Sequence, residues 1–199
     1  LKPGHKKAQA GHRTAHECVS HLSDAKRATQ QGQHATAAEH LTRALDLQGA
    51  THKLLHTSHT LLLERAGAHL AQEQYYEVLA DSGRALKLQQ DSIDALLVRG
   101  EAYYRLAEHD MAMRHYRQGL HFDPEHKSCK KAYRRLKKLS KLAKKADAAA
   151  EAGRHEEAVE LYADARAVDA SHKEFVKGVL LKGAKSLIAL QKLGEAKQL

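Results

Sequence analysis

Sixteen histidines dominate the reactive side chains of this 199-residue sequence. His12 and His16 stand four apart, and His52, His56 and His59 could share one helical face. No carboxylate or cysteine completes a site at either group. "HRTAH" lacks the glutamate of the zinc-protease helix, H-E-x-x-H. Neither a metal nor a cofactor is expected on this ligand count. "GVLLKGAKS" (Gly178–Ser186) comes one residue short of a phosphate loop, because Ala184 separates Gly183 from Lys185. No G-x-S-x-G or G-x-G-x-x-G occurs. The two cysteines, Cys18 and Cys129, lie far apart with no C-x-x-C and no zinc spacing, and read as free thiols. Nothing here makes an enzyme.

The elements that carry these residues are helical. The composition is rich in Ala, Leu, Lys and Gln, with two Pro, no Trp and no Asn, so helix formers far outweigh strand formers. The longest aliphatic runs, such as Leu61–Leu63 and Val179–Leu181, are too short to span a bilayer. The net charge of +9 is local. Between Lys127 and Lys145, "KSCKKAYRRLKKLSKLAKK" holds ten Lys or Arg and no acid; without them 23 bases face 24 acids.

One segment sets a repeat register. "DALLVRGEAYYRLAEHDMAMRHYRQGLHFDP" places Leu96, Gly100, Tyr103, Ala112, Tyr116 and Pro124 at the spacing of the tetratricopeptide (TPR) pattern, with Arg99 where Leu is usual. Small residues at Gly100 and Ala112 let two helices approach; Tyr103 and Tyr116 fill the space beside them; Pro124 stops the second helix. Stepping by the TPR period of about 34 residues gives units at 18–51, 59–92, 93–126 and 139–172, and a fifth from 177 to 199 with Ala196 at its small position. Ala25, Ala28, Gly32, Ala37, Leu41 and Ala44 of the first unit recur as Ala146, Ala149, Gly153, Ala158, Tyr162 and Ala165. The same shift of 121 residues lays Pro3 on Pro124 and His5 on His126. Residues 1–17 are therefore expected to be the tail of a preceding repeat and a linking helix, in a piece of a longer array. His34, His109 and His155 share one late-turn position, where a ring packs between helices.

The fold class expected is an all-α TPR solenoid, a right-handed superhelix with a long helix linking three-repeat subdomains. Residues 18–126 form one subdomain, the basic segment 127–138 links it onward, and 139–199 begin the next. Cys129, Ala132, Tyr133, Leu136, Leu139, Ala143 and Ala146 trace one helical face, so a single helix should run from the basic segment into the next unit.

TPR arrays bind peptides along the face lined by the first helix of each unit. In this register that face draws on Val19, Leu22, Leu63, Leu70, Leu97, Glu101 and Tyr104, suited to apolar client segments, although leucines at these positions also pack between repeats. The alternative surface is the basic helix, with Lys130, Lys131, Arg134, Arg135, Lys137, Lys138 and Lys141 offered to an acidic partner or nucleic acid. Tyr133 is its one aromatic, so it has no stacking platform, and a solvated linker helix is the favoured reading. Without Asn, the carboxylate clamp that grips chaperone tails is not available in its usual form.

"EHDMAMRHYRQGLHFDPEHKSCKKAYRRLKKLSKLAKKADAAAEAGRHEEA" resembles the middle of the TPR-plus-J-domain co-chaperones of the endoplasmic reticulum, especially the plant and algal members, the kinase-inhibitor p58 or DnaJ subfamily C member three type. The likeness is closest over residues 93–160 and includes the linking helix. It implies a lumenal co-chaperone whose TPR subdomains hold unfolded clients. A J domain would stimulate a BiP-type chaperone, and a translation-factor kinase is a further implied partner. No His-Pro-Asp of a J domain occurs in this sequence.

Overall fold

The computed structural model describes residues 3–49 and 55–190, with side chains from 10–48 and 58–190. Among the described residues there are nine α-helices and no strand. They are α1 (Pro3–Gln30), α2 (His34–Gly49), α3 (Leu55–Ala71), α4 (Tyr75–Leu88), α5 (Ile93–Arg105), α6 (His109–Phe122), α7 (Lys127–Glu151), α8 (His155–Val168) and α9 (Lys173–Ala189). The array is an all-α TPR solenoid. Of the residues singled out from sequence, His52, Ala196 and the rest of 191–199 lie outside this description, as do the side chains of His5 and His56.

Within each unit the helices are joined by three residues, and all four of these joints share one geometry. The first helix ends in a left-handed residue: Gly32 (φ 71°), Glu73 (φ 59°), Ala107 (φ 62°) and Gly153 (φ 75°). The next N–H then returns to a carbonyl five residues back, Gln33 to Ala28, Gln74 to His69, Glu108 to Tyr103 and Arg154 to Ala149, each at 2.9 Å. This is the Schellman closure, which satisfies carbonyls that a helix end leaves open. His34, His109 and His155 each open the second helix of their unit, and all three are half-buried.

The chain divides into two compact units, Leu1–Ala102 and Tyr103–Leu199, with the division inside α5. In the first, α1 packs on α2, α2 on α3 and α3 on α4. Ala25, Leu41, Ala44 and Leu61 form one core cluster; Ala66, Val78 and Ala102 form another. The repeated small positions sit where backbones come closest, with Ala37, Ala44 and Ala66 fully buried. Arg65 bridges the layers: Nε donates to Asp81 Oδ2 at 2.7 Å, Nη2 to Oδ1 at 2.6 Å and Nη1 to Thr42 Oγ1 at 2.9 Å. Arg99, the departure from the TPR pattern, donates from Nη1 to the Leu79 carbonyl. Gly83 makes room for it, since a Cβ there would lie 2.8 Å from Nη1.

In the second unit α6 packs on α7, α7 on α8 and α8 on α9. The expected long helix is α7, unbroken from Lys127 to Glu151, with Cys129, Ala132, Leu136, Leu139, Ala146 and Ala149 buried along one face. Helix α1 likewise runs unbroken through residues 6–17. The echo between Pro3 and Pro124 is not structural, however. Pro124 lies in the turn after Phe122, whereas Pro3 falls within the described part of α1. "GVLLKGAKS" lies inside α9 and forms no phosphate loop.

Candidate functional site

The first-helix face that the register nominates is only partly open. Val19 is 65% exposed. Leu22 packs against the cluster of Ala25, Leu41, Ala44 and Leu61; Leu63 against Leu62, Ala85 and Ala95; and Leu70 against Ala66, Val78 and Ala102. These leucines bind repeats to one another and leave only their edges to a ligand. Leu97 and Glu101 are half-exposed.

Tyr104 must be removed from the exposed face, because its side chain is fully buried. Its hydroxyl donates to Asp169 Oδ2 at 3.0 Å, and the Arg135 guanidinium lies 4.2 Å from its ring centroid. The His172 ring stands 4.3 Å away, and His109 stacks at 5.8 Å. Arg135 also pairs with Asp169 at 3.5 Å, so it too turns inward rather than joining the basic surface. The loop that closes over Tyr104 comes from residues 169–172, far along the chain, which is why helical spacing alone placed the ring outside.

His172 is the electrostatic centre of this cluster. Its Nδ1 accepts from the Phe175 N–H at 3.5 Å, capping α9, so the proton sits on Nε2 and faces His109 Nε2 at 3.1 Å. Burial, and then the neighbouring His109 and Arg105, lower its pKa to about 4. Burial also lowers the pKa of His109. Burial disfavours ionised Asp169, but bonds from Ser171 and Tyr104 and the charge of Arg135 outweigh it and hold its pKa below the usual carboxylate range.

The outer face of α7 is a stripe of cations. Lys127, Lys131, Arg134, Lys138, Lys141 and Lys145 are all exposed, and their alternating spacing of four and three keeps them on one side of the helix. Lys137 is exposed beside them, its Nζ 5.9 Å from the Tyr133 ring centroid. Lys130 is half-buried and pairs with Glu125 at 2.6 Å. Between α6 and α7 lies a groove of about 650 Å³, lined by Met113, Arg114, Arg117, Ser140, Lys144 and Asp147 among others. Asp147 closes one wall, accepting from Tyr162 Oη at 2.7 Å and Lys182 Nζ at 2.8 Å. Burial opposes its ionisation, yet these two donors hold its pKa low.

Sequence spacing missed one convergence. His21 and Asp24 on α1 meet His40 on α2, with their ligand atoms within 4.8 Å of one another. The His21–Asp24 spacing is visible in the sequence; the third residue arrives only through the packing of α2.

No family model matches the chain. Over 136 residues it is 44% identical to the DnaJ protein P58IPK homolog B of Oryza sativa subsp. japonica, which covers 68% of this chain and 28% of the rice protein. It is also 44% identical, over 103 residues, to the DnaJ protein P58IPK homolog of Arabidopsis thaliana, covering 52% of this chain and 21% of that protein. The chain thus spans between a fifth and a third of these curated relatives. Its fold matches the crystal structure of the P58(IPK) TPR domain with a TM-score of 0.76 at 23% identity, over 98% of this chain and 53% of that one. Among the described residues no helix is long and apolar enough to cross a membrane.

Proposed function

Because the chain is a TPR segment of the P58IPK type of DnaJ protein, we propose that it is the polypeptide-holding part of a co-chaperone. In this reading it retains unfolded clients for a BiP-type chaperone of the endoplasmic reticulum lumen, through a J domain outside this segment. A translation-factor kinase is a further partner of the whole protein. The observation that carries the reading is the 44% identity over 136 residues, a stretch far longer than one repeat. Val19 and Leu97 supply apolar surface in the first unit, and in the second Met113 and Ala143 supply a small apolar strip in a groove otherwise lined by charged and polar side chains.

A second reading rests on the α7 stripe, whose exposed cations would dock an acidic protein segment. Binding of a labelled, permanently unfolded protein at low and at high salt separates the two. Apolar holding survives added salt, whereas binding to the stripe weakens as its charges are screened. Salt-resistant binding that drops several-fold in Val19→Ser, Leu97→Ser and Met113→Ser supports client holding. Binding lost on adding salt transfers the function to the stripe, and no binding at either salt overturns the holding role.

A further inference from the structure

We infer that the first helix pair holds a divalent transition-metal cation of the zinc class between His21, Asp24 and His40. His21 and Asp24 lie three apart on α1, so they share one face, and His40 reaches them from α2. The two Nδ1 atoms are 3.1 Å apart. Their ring planes are inclined at 42° with centroids 5.4 Å apart, so the rings meet through their nitrogens and not through their faces.

That separation has a chemical meaning. Two imidazoles on one cation, each at about 2.0–2.1 Å, hold their nitrogens roughly 3.0 Å apart at a right angle and roughly 3.4 Å apart at a tetrahedral one. The observed distance falls between the two. The third donor, an Asp24 carboxylate oxygen, lies within 4.8 Å of a ring nitrogen of each histidine. One of its oxygens already accepts from Arg27 Nη2 at 2.7 Å, the outer-sphere support that orients ligating carboxylates, and the other oxygen can turn toward the rings. All three residues are half-buried, so one side of the site stays open to water, the usual fourth ligand of a three-residue zinc site. Two nitrogens and one carboxylate suit zinc, nickel or cobalt; calcium and magnesium call for oxygen donors. A cation here would fasten α1 to α2.

The competing account of the same contact is an N–H···N hydrogen bond between two neutral rings, and metal titration distinguishes them. The full chain, stripped of metal, is titrated with zinc chloride by calorimetry and with cobalt chloride by visible absorption. The expected result is a site that His21→Ala and His40→Ala each weaken by at least about tenfold, as Asp24→Asn also does to a smaller degree. The exposed pair His12 and His16 provides the control, and His12→Ala/His16→Ala should leave the site intact. Equal stoichiometry and affinity in His21→Ala and His40→Ala overturn the site. Ring nitrogen resonances of the unmutated chain supply a readout that needs no variant. Zinc should shift those of His21 and His40 first, and their standing still while other histidines move would also overturn it.

Discussion

At the scale of single residues, His172 links burial to pH. Its ring is fully enclosed, caps α9 through Nδ1, and faces His109, Arg105, Asp169 and Arg135. A proton on Nδ1 would end the cap and add a cation beside two arginines. The folded ring therefore refuses a proton down to about pH 4, while the unfolded ring accepts one near 6.5. Above pH 6.5 both states are neutral and the contribution is fully present. Between 6.5 and about 4 the unfolded state gains the proton, so stability falls as the pH is lowered. Allowing for solvent at the rim of the cluster, the loss should be about 2 kcal/mol. Denaturant titrations at pH 7 and pH 4.5 should show it. His172→Ser should flatten the difference, because serine already caps α5 at Ser92, where Oγ accepts from the Ala95 N–H. An unchanged pH slope in that variant would assign the acid sensitivity elsewhere. Asp147 and Asp169 act in the same direction only at lower pH, because their pKa values are depressed.

Elements are where this sequence is most readable. The repeated small residues and the uninterrupted apolar stripe of α7 are short-range signals, because backbone approach and helical period depend on neighbours a few residues away. The joints within units show both the reach and the edge of that reading. Gly32 and Gly153 mark a left-handed closure by composition, but Glu73 and Ala107 take the same conformation without a composition signal. There the 2.9 Å return bonds and the packed helix pair impose it. A left-handed non-glycine residue costs about 1–2 kcal/mol, part of which glycine gives back as unfolded-chain entropy. Ala107→Gly should therefore raise the unfolding free energy by a few tenths to about 1 kcal/mol, and Gly153→Ala should lower it by a similar amount. Thermal melts of the two variants check both signs, and a loss of stability in Ala107→Gly would mean that its methyl makes contacts that matter more than its φ.

Across the whole molecule, what was hidden in the sequence is what long-range packing decides. Tyr104 sits at the right register for an open face, yet residues 169–172 fold over it; His40 meets His21 and Asp24 only because α2 lies on α1. Charge, by contrast, is open to reading at this scale. Residues 127–145 supply more than the whole of the net +9, the rest of the chain being slightly acidic, and in the fold the six cations of the stripe stand in one exposed line. Like charges three or four apart on a helix each oppose folding by about 0.2–0.5 kcal/mol, so the stripe as a whole should destabilise the chain by roughly 1–2 kcal/mol at low salt. Added sodium chloride should accordingly raise the unfolding free energy, since screening acts on these pairs over a Debye length of about 10 Å at 0.1 M. Lys138→Glu reverses its pairs with Arg134 and Lys141 and should raise stability by about 0.5–1 kcal/mol at low salt, with a smaller gain at high salt. Denaturant titrations of both proteins at two salt concentrations make the comparison. A drop in stability on Lys138→Glu would show that the stripe is held by contacts of its own. The expected gain would separate the stripe from folding, and the same variant could then be carried into the low-salt binding assay, where weaker capture of an acidic partner would tie the charge to recognition.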